Sequence, residues 1–267
     1  MMMMSSTEQT NKHAHVIPTQ CLLEGKVAII TGGSRGIGKG LCEVFAREGA
    51  TVIFLYASND EAANDTLAKI EALGGQGKAY KLSVTDKDGI KAMIKEVIDT
   101  YGQIDILVNN AAINKGDNFV TTTEKSWLHI MDTNVNGLYY MTKPIIKQMM
   151  KQRRGNVLNI TSIAALRAVP TSVHYATSKA AVVGFTKCLA REVSSFGITV
   201  NAIAAGIYDT DLGHDLPDMM LGFYENWVPK GRLGVPQDLA EMACFMCSDR
   251  NTYMAGEVIT VDGGATV

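Results

Sequence analysis

Residues 26–38 read KVAIITGGSRGIG, an apolar run that ends in a glycine-rich turn and passes into an amphipathic stretch. The run is rich in β-branched residues and predicts a buried strand, and the stretch from residue 37 predicts a helix. Glycine allows the backbone to approach an anion closely, and the first N–H groups of a helix have no intrahelical partner. The stretch therefore predicts a strand, a pyrophosphate-binding turn and a helix as the first unit of the fold.

The same alternation of apolar runs and amphipathic stretches continues to the end of the chain and predicts βαβ units around a parallel sheet. Seven runs are predicted to be strands: KVAIIT (26–31), TVIFLY (51–56), GKAYKL (77–82), IDILVNN (104–110), GNVLNIT (155–161), ITVNAIA (198–204) and EVITVDG (257–263). Helices are predicted at 37–48, 60–73, 86–101, 123–152, 173–195 and 236–248. Because such crossovers are right-handed, we expect a single Rossmann-type, doubly wound α/β domain, a seven-stranded parallel sheet with helices on both faces.

The domain is predicted to span residues 25–267, after a flexible N-terminal extension at 1–24 that has neither a signal-peptide nor a transit-peptide pattern. In that extension His13 and His15 are interpreted as solvated residues, and no metal site is predicted. Residues 207–232 interrupt the alternation with Gly, Pro and aromatic residues, which predicts a substrate lid.

Four aromatic residues have ambiguous roles in this pattern. Three of them lie in the predicted lid and are candidates for an apolar pocket: Phe223, Tyr224 and Trp227. The fourth, Trp127, stands at the start of a long predicted helix and is interpreted as a core or interface residue.

Composition excludes several classes of partner. The 25 basic and 27 acidic residues give a net charge of −2, so the composition lacks the excess of positive charge that binds nucleic acid or an anionic membrane. No stretch approaches the roughly 18 apolar residues of a membrane span. The five cysteines fit a reducing cytoplasm, and the CxxC at Cys244 and Cys247 lies in a helical pattern that favours apolar packing.

Tyr175 and Lys179 stand four residues apart in HYATSKAA, and Ser162 precedes them at the end of an apolar run. Residues i and i+4 share one face of a helix, so the lysine cation can stabilise a phenolate and lower the pKa of the tyrosine. A YxxxK pattern alone recurs by chance on exposed helices, so this interpretation depends on the surrounding motifs. The neighbouring His174 is expected to point away from the tyrosine and to make a packing or lid contact.

The glycine turn has the spacing TGxxxGxG and is followed by NNAA at 109–112, by MDTNVNG around Asn134 and by YATSK at 175–179. With these motifs in this order, residues 24–267 resemble the short-chain dehydrogenase/reductase family. The resemblance implies a catalytic tetrad of Asn134, Ser162, Tyr175 and Lys179. In that family the tyrosine is the general acid, the serine binds the developing alkoxide, the lysine holds the nicotinamide ribose and lowers the tyrosine pKa, and the asparagine anchors a water relay.

The resemblance also implies a nicotinamide dinucleotide. The residues predicted to bind it are Gly32, Ser34, Arg35, Gly36, Ile37, Gly38, Ser58, Val84, Asn110, Ala111, Tyr175, Lys179, Gly206, Ile207 and Tyr208. NAD enzymes of this architecture carry an acidic residue at the end of the second strand, where this chain has Tyr56, Ala57 and Ser58. That absence, together with Arg35 in the turn, predicts NADP(H), although Arg35 also fits a solvent-exposed turn residue.

Several departures from the family pattern concern the loops. Ser83 and Val84 stand where many relatives have Asp, NNAA replaces NNAG, and Ala205-Gly206 replaces Pro-Gly. These changes alter loop stiffness more than chemistry. Asp105 is interpreted as structural.

Phrases such as INKGDNF, CLAREVSSFGITVNAIAAG and YMAGEVITVDGG resemble the 3-oxoacyl-(acyl-carrier-protein) reductase branch. The branch implies a cytoplasmic, NADPH-dependent, homotetrameric ketoreductase that converts a 3-oxoacyl thioester, carried on acyl carrier protein or CoA, to the 3-hydroxy product. An alcohol or sugar dehydrogenase that acts on a free small molecule, or a non-catalytic dinucleotide sensor, are alternatives.

An acidic carrier protein would need basic residues near the mouth of the site. One basic run is a candidate for that contact, although it also fits a solvated helix end: Lys147, Lys151, Arg153 and Arg154. Phe196 stands where this branch often has a second basic residue, which weakens the case for a carrier.

Overall fold

The computed structural model describes residues 21–210 and 227–267. All seven predicted strands form, each within two residues of its predicted bounds: β1 (Val27–Thr31), β2 (Thr51–Tyr56), β3 (Gln76–Lys81), β4 (Ile106–Asn109), β5 (Gly155–Ser162), β6 (Ile198–Ala205) and β7 (Val258–Val261). The helices are α1 (Gly36–Arg47), α2 (Asp60–Ala72), α3 (Lys87–Tyr101), α4 (Glu124–Met131), α5 (Gly137–Gln152), α6 (Val173–Val193) and α7 (Pro236–Cys247). His13, His15, Phe223, Tyr224 and most of the predicted lid lie outside the described residues.

The strands form one parallel sheet in the order β3-β2-β1-β4-β5-β6-β7. The order reverses between β1 and β4, so the loops that follow these two strands diverge and leave a crevice at the carboxyl edge of the sheet. The predicted doubly wound α/β fold is confirmed. The crevice lies directly beside the glycine turn that follows β1.

Helices cover both faces of the sheet, and each face has its own apolar core. Along β1, Ala28 and Ile30 join the cluster that packs against α1 and α7, while Val27 and Ile29 join the cluster beneath α3 and α5. This alternation follows from the two-residue period of a strand. Because both faces are buried, the strand reads in the sequence as one continuous apolar run.

The CxxC cysteines belong to the first of these cores. Cys244 and Cys247 are free thiols with at most 1% of their surface exposed, and burial raises the pKa of Cys244 to about 12. A thiol that is protonated and inaccessible neither binds a metal nor exchanges disulfides. No group of three or more potential metal ligands occurs among the described residues.

Local signals set the helix ends. The side chains of Asn59, Asp86 and Thr123 each accept a backbone N–H in the first turn of α2, α3 and α4. Gly102 closes α3 in the left-handed conformation, with φ of 76°. No helix in the described ranges is long and apolar enough to cross a membrane.

The chain is helical from Glu124 to Gln152, close to the long helix predicted at 123–152, but the prediction did not include a π turn at its centre. Residues Asp132–Asn136 form a π-helical turn between α4 and α5, with Asn134 buried inside it. A π turn inserts one residue into a helix and re-aims the side chains around it, and such turns occur often at functional sites.

The packed domain includes the end of the predicted extension. Leu23 is fully buried in the core against α1, and its N–H donates to the Glu48 carbonyl at 2.9 Å. The predicted boundary at residue 25 is therefore too late, because a buried leucine and a backbone hydrogen bond hold residues before it.

The basic run lies at the amino edge of the sheet, directly before β5. Arg154 donates to the buried carboxylate of Asp105 at 3.2 Å, and that carboxylate also accepts the Val27 N–H at 2.9 Å. Asp105 is structural, as predicted. The expectation that Lys147, Lys151, Arg153 and Arg154 flank the site mouth is wrong, because residues that precede a parallel strand lie opposite its carboxyl end.

The turn between β1 and α1 is closed by glycines. Gly32 has φ of +70°, in the left-handed region that favours glycine. A Cβ on Gly38 would lie 1.9 Å from the Gly32 carbonyl oxygen and 2.7 Å from Asn110 Nδ2. The first turn of α1 thus packs directly on backbone, and only glycine fits at position 38.

We expect Gly38→Ala to lower the free energy of unfolding by about 1–3 kcal/mol, because the new methyl group overpacks against backbone that cannot move aside. Urea denaturation followed by circular dichroism measures this. Gly116→Ala is the matched control, since a Cβ there has no atom within 4 Å. Equal stabilities of the two variants would contradict the argument.

Candidate active site

A cavity of about 440 Å³ opens at the carboxyl edge of the sheet. Its walls come from residues that end or follow β1, β2, β3, β4, β5 and β6, together with one side of α6. Every residue predicted to bind the dinucleotide lines this cavity, except Ser58. The parallel topology therefore brings together motifs that are up to 176 positions apart in the chain (208 − 32).

Ser58 is exposed and lies outside the cavity, whereas Tyr56 and Ala57 line it. Strand β2 ends at Tyr56, and the chain then turns towards the cap of α2 at Asn59, which carries Ser58 away. Sequence alone does not fix where a strand leaves the sheet, so the cavity lining supports Tyr56 and Ala57 at this position and gives no support to Ser58.

The start of α1 is built differently from the capped helices. Arg35 occupies its N-cap position in an extended conformation and makes no side-chain hydrogen bond to the cap. The first N–H groups of α1 therefore lack the side-chain acceptor that α2, α3 and α4 have. Ser34, Arg35, Gly36 and Ile37 line the cavity, so these donors and the positive end of the helix dipole suit a pyrophosphate.

Asn110 fixes this turn to the strand beside it. Its Nδ2 donates to the carbonyl of Thr31 at 3.0 Å and to that of Gly32 at 3.2 Å, and its backbone N–H donates to Thr31 Oγ1. The Ala111 N–H also donates to Thr31 Oγ1. Thr31 is thus an anchor of the site that the sequence reasoning missed, although it begins the TGxxxGxG motif.

Ser162 and Tyr175 lie next to each other in the cavity wall and share a hydrogen bond. Ser162 is the last residue of β5, and its Oγ accepts the Ala164 N–H at 3.2 Å. Tyr175 lies in the first turn of α6, and burial raises its pKa to about 12, while a hydrogen bond to Ser162 acts in the opposite direction. The direction of the shift is opposite to the sequence expectation, because loss of hydration outweighs stabilisation of the phenolate.

Lys179 is buried one helical turn beyond the tyrosine. Its Nζ donates to the Ile160 carbonyl at 2.9 Å and lies 5.7 Å from the centre of the Tyr175 ring. Burial lowers the pKa of Lys179 to about 8. The lysine therefore approaches the tyrosine as expected. Burial disfavours the charged form of both groups, the ammonium of Lys179 and the phenolate of Tyr175.

Asn134 stands behind the tyrosine, in the π turn. Its Oδ1 accepts the Ile113 N–H at 2.8 Å, and its Nδ2 donates to the Ile113 carbonyl at 2.9 Å and to Ser178 Oγ at 3.0 Å. Ser178 Oγ in turn donates to the Tyr175 carbonyl at 2.7 Å. The asparagine thus joins the segment after β4 to the helix that carries the tyrosine.

A second cavity of about 10 Å³ separates Asn134 from Lys179. Asn109 also lines it, and Asn109 Oδ1 is buried without a hydrogen-bond partner among the described residues. This volume is close to the minimum that holds one water molecule, and the polar lining suits one. Such a water would connect the asparagine and lysine of the predicted tetrad.

The cavity also has a wall that the sequence reasoning did not identify. It is formed by residues after β4, after β5 and after β6: Ile113, Asn114, Val169, Pro170, Thr171 and Thr210. Trp227 lines the cavity, as was suggested for the predicted lid, whereas Trp127 is half-buried on α4 and does not. Position directly after a predicted strand was the signal that could have identified Ile113 and Asn114.

His174 makes buried polar contacts on the side of α6 away from the cavity. Only 1% of its surface is exposed, and its Nδ1 accepts the Tyr175 backbone N–H at 3.0 Å. The prediction that it points away from the tyrosine side chain and packs in the interior agrees with this position. Its polar partners were not foreseen.

Comparison with known proteins identifies relatives along almost the whole chain. Residues 32–266 match a family model described as enoyl-(acyl carrier protein) reductase. The 3-oxoacyl-[acyl-carrier-protein] reductase FabG of Thermotoga maritima is 39% identical over 246 residues, which are 92% of this chain and 99% of that protein. The enzyme of the same name from Vibrio cholerae is 40% identical over 242 residues, covering 91% and 98%.

A solved structure of a similar protein has the same fold. The crystal structure of a short-chain type dehydrogenase/reductase from Mycobacterium marinum matches with a TM-score of 0.87 and 32% sequence identity. The match covers 91% of this chain and 96% of that one.

The depressed pKa of Lys179 predicts a pH dependence of stability. Between about pH 8 and pH 10.5 the unfolded chain binds a proton that the folded protein does not, so stability should rise with pH in this window. Lys179→Met removes this contribution. The difference in unfolding free energy between wild type and Lys179→Met should therefore change by about 1–3 kcal/mol between pH 8 and pH 10.

Urea denaturation at several pH values measures this difference. Lys151→Met, at an exposed position, is the control and should leave the pH slope as it is in wild type. If the unfolding free energy depends on pH in the same way in wild type and in Lys179→Met, folding does not lower the pKa of Lys179.

Proposed function

The chain belongs to the short-chain dehydrogenase/reductase family, and from this premise we propose that it is an NADPH-dependent ketoreductase that converts a 3-oxoacyl thioester to the 3-hydroxy product. The observation that carries the proposal is the pair of hydroxyl groups, Ser162 and Tyr175, that are hydrogen-bonded to each other in the wall of a cavity lined by the dinucleotide motif. The two FabG relatives, which align over nearly their full length, support the same reaction.

The mechanism follows from where charge develops. The nicotinamide, when bound, supplies the hydride that adds to the carbonyl carbon. Negative charge then accumulates on the carbonyl oxygen, and two hydroxyl donors at that oxygen stabilise the transition state more than the ground state. With a pKa of about 12, Tyr175 is fully protonated at neutral pH, so it can donate its proton to the oxygen while Ser162 holds that oxygen by a hydrogen bond.

Lys179 and Asn134 complete the site in this proposal. Burial lowers the pKa of Lys179 to about 8, and this residue would bind the nicotinamide ribose and help to return a proton to the tyrosine. Asn134 would hold a water between itself and Lys179 in the smaller cavity. The glycine turn and the start of α1 would hold the pyrophosphate.

The preference for NADPH has support from the charges at the end of β2. Among the residues that the structure describes, no carboxylate lines that part of the cavity, whereas Arg35 does line it. The nearest acid in sequence is Asp60, which accepts from Lys81 Nζ at 2.8 Å and from the Tyr56 hydroxyl at 2.9 Å, so its charge is balanced. A 2′-phosphate would meet net positive charge there.

The thioester carrier and the assembly are also part of the proposal. Arg167 is exposed between the lining residues Ala164 and Val169, and it is a better candidate for contact with an acidic carrier protein than the basic run.

Exposed apolar side chains on α4 and α5, such as Leu128 and Tyr139, and on α7, such as Phe245, suit a homotetramer. The free thiols suit a reducing cytoplasm.

The activity test is a panel of substrates with the purified protein and NADPH: acetoacetyl-CoA, an acetoacetyl carrier-protein thioester, simple ketones, a sugar and crotonyl-CoA. We expect oxidation of NADPH with the 3-oxoacyl thioesters. Reduction of crotonyl-CoA alone would favour the enoyl reduction that the family description names, and alcohol or sugar turnover alone would favour a dehydrogenase of free small molecules. No turnover of any substrate would favour a dinucleotide sensor.

Tyr175→Phe should lower kcat by at least about 100-fold, because it removes the proton donor, and should change the Kd for NADPH little. Stopped-flow turnover and fluorescence titration measure the two quantities. Tyr56→Phe, which removes a phenol at the far end of the cavity, is the control for kcat. Wild-type kcat in Tyr175→Phe would refute the assigned role.

Wild type should show a higher kcat/KM with NADPH than with NADH. Arg35→Ala should reduce kcat/KM for NADPH about tenfold or more and leave the value for NADH nearly unchanged, because a charged contact to phosphate is lost. Lys39→Ala is the matched control, since Lys39 lies one turn further along α1, pairs with Asp65 and does not line the cavity. A clear preference of wild type for NADH would overturn the assignment.

A further inference from the structure

His174 links the backbone of Tyr175 to two other segments. Its Nδ1 accepts the Tyr175 N–H at 3.0 Å, and its Nε2 lies 3.5 Å from Ser126 Oγ on α4 and 4.0 Å from Asp117 Oδ2. The imidazole is 1% exposed and the Ser126 side chain is also in the interior. A buried imidazole with polar partners on three segments is more than a packing residue.

These contacts determine the protonation of the ring. Because Nδ1 accepts a hydrogen bond, it carries no proton, and the neutral ring carries its proton on Nε2. Ser126 Oγ donates to Asp117 Oδ2 at 2.9 Å, so its oxygen can accept from His174 Nε2. The hydrogen bonds therefore run in one direction, from the Tyr175 N–H to His174 and from His174 through Ser126 to Asp117.

Asp117 is a suitable end point for this chain. The hydrogen bond from Ser126 and the one from Lys115, which lies at 3.1 Å, hold the pKa of the Asp117 carboxyl below its usual value. Asp117 therefore stays ionised and accepts hydrogen bonds throughout the neutral range. It belongs to the segment after β4, and that segment also supplies Ile113 and Asn114 to the cavity wall.

Without His174, the N–H of Tyr175 would have no acceptor among the residues that the structure describes. It lies in the first turn of α6, where the backbone donors have no intrahelical acceptor, and the N-cap residue Ser172 makes no side-chain cap. The carbonyl of Tyr175 is held separately, by Ser178 and through it by Asn134. The segment after β4 thus restrains both backbone polar groups of Tyr175, its carbonyl through Asn134 and its N–H through His174.

We propose that His174 is a positioning residue for the general acid, and that Asp117 and Ser126 orient its ring. The chain Asp117–Ser126–His174 fixes the backbone of Tyr175, and hence the direction of its hydroxyl towards the carbonyl oxygen. The consequence for turnover depends on the proposed ketoreductase function, whereas the restraint on the Tyr175 N–H does not. Errors of about 1 Å in the position of a catalytic group cost up to 100-fold in rate.

Two substitutions of His174 separate positioning from packing. In His174→Asn the amide oxygen lies near the former Nδ1 position and keeps an acceptor for the Tyr175 N–H, while in His174→Gln the amide reaches the former Nε2 position and leaves the N–H without one. We expect His174→Gln to lower kcat for acetoacetyl-CoA roughly tenfold, with KM and the Kd for NADPH within about twofold of wild type. His174→Asn should retain kcat within about threefold of wild type, even if its melting temperature falls as far as that of His174→Gln.

Hydrogen–deuterium exchange of peptides that contain Tyr175 provides a readout that needs no activity. Exchange at that amide should be faster in His174→Gln than in His174→Asn. If wild type reduces none of the substrates, the proposed function fails, but this difference in exchange still tests the restraint. Equal kcat and equal exchange in the two variants would overturn the proposal, since they would show that His174 only packs.

Asp117→Asn and Ser126→Ala address the case in which His174→Gln does not fold. Both leave Nδ1 in place but remove what orients the ring, so each should lower kcat about two- to fivefold with unchanged Kd for NADPH. Wild-type kcat in both folded variants would also overturn the proposal.

Discussion

Parallel pairing of β1 with β4, of β4 with β5 and of β5 with β6 is the constraint on which the site depends. When neighbouring strands run in the same direction, all their carboxyl ends lie at one edge, and the residues that follow them meet whatever their separation in sequence. Gly32, Asn110, Ser162 and Gly206 each end or follow one of these strands and line one cavity. The hydrogen bonds from Asn110 to the backbone of Thr31 and Gly32 then hold the turn against the strand next to it.

The segment after β4 has a second role beside lining the cavity. It contacts the π turn through Ile113 and the start of α6 through Asp117, so the same short stretch touches both helices that carry polar groups of the site. These contacts use buried side chains whose hydrogen bonds are nearly all satisfied, which makes the arrangement rigid. Preorganised donors of this type stabilise developing charge without having to reorganise.

The strands and the glycine turn could be predicted from the sequence because periodicity and glycine placement depend on local chemistry. The tetrad was implied by the family resemblance, and three of its four members, Ser162, Tyr175 and Lys179, line the cavity. The sequence did not reveal the π turn around Asn134, since one extra residue barely alters an apolar pattern. The pKa direction of Tyr175 was missed because burial depends on the whole fold. The position of Arg154 directly ahead of β5 places it at the amino edge of a parallel sheet, so the predicted topology was sufficient to exclude it from the mouth of the site.

The π turn also has a consequence for tolerance to insertions and deletions. A π turn advances a helix by about the same rotation and rise as an α-helical stretch with one residue fewer, so removing one residue from 132–136 would restore a continuous α-helix and leave α5 in nearly its present orientation. The face of α5 that carries Met141, Ile145 and Met149 would still pack on the sheet. The deletion would instead act on the site, because it would remove the turn that holds Asn134 against Ile113 and Ser178. The extra residue in this part of the chain therefore serves the position of Asn134 and not the packing of α5.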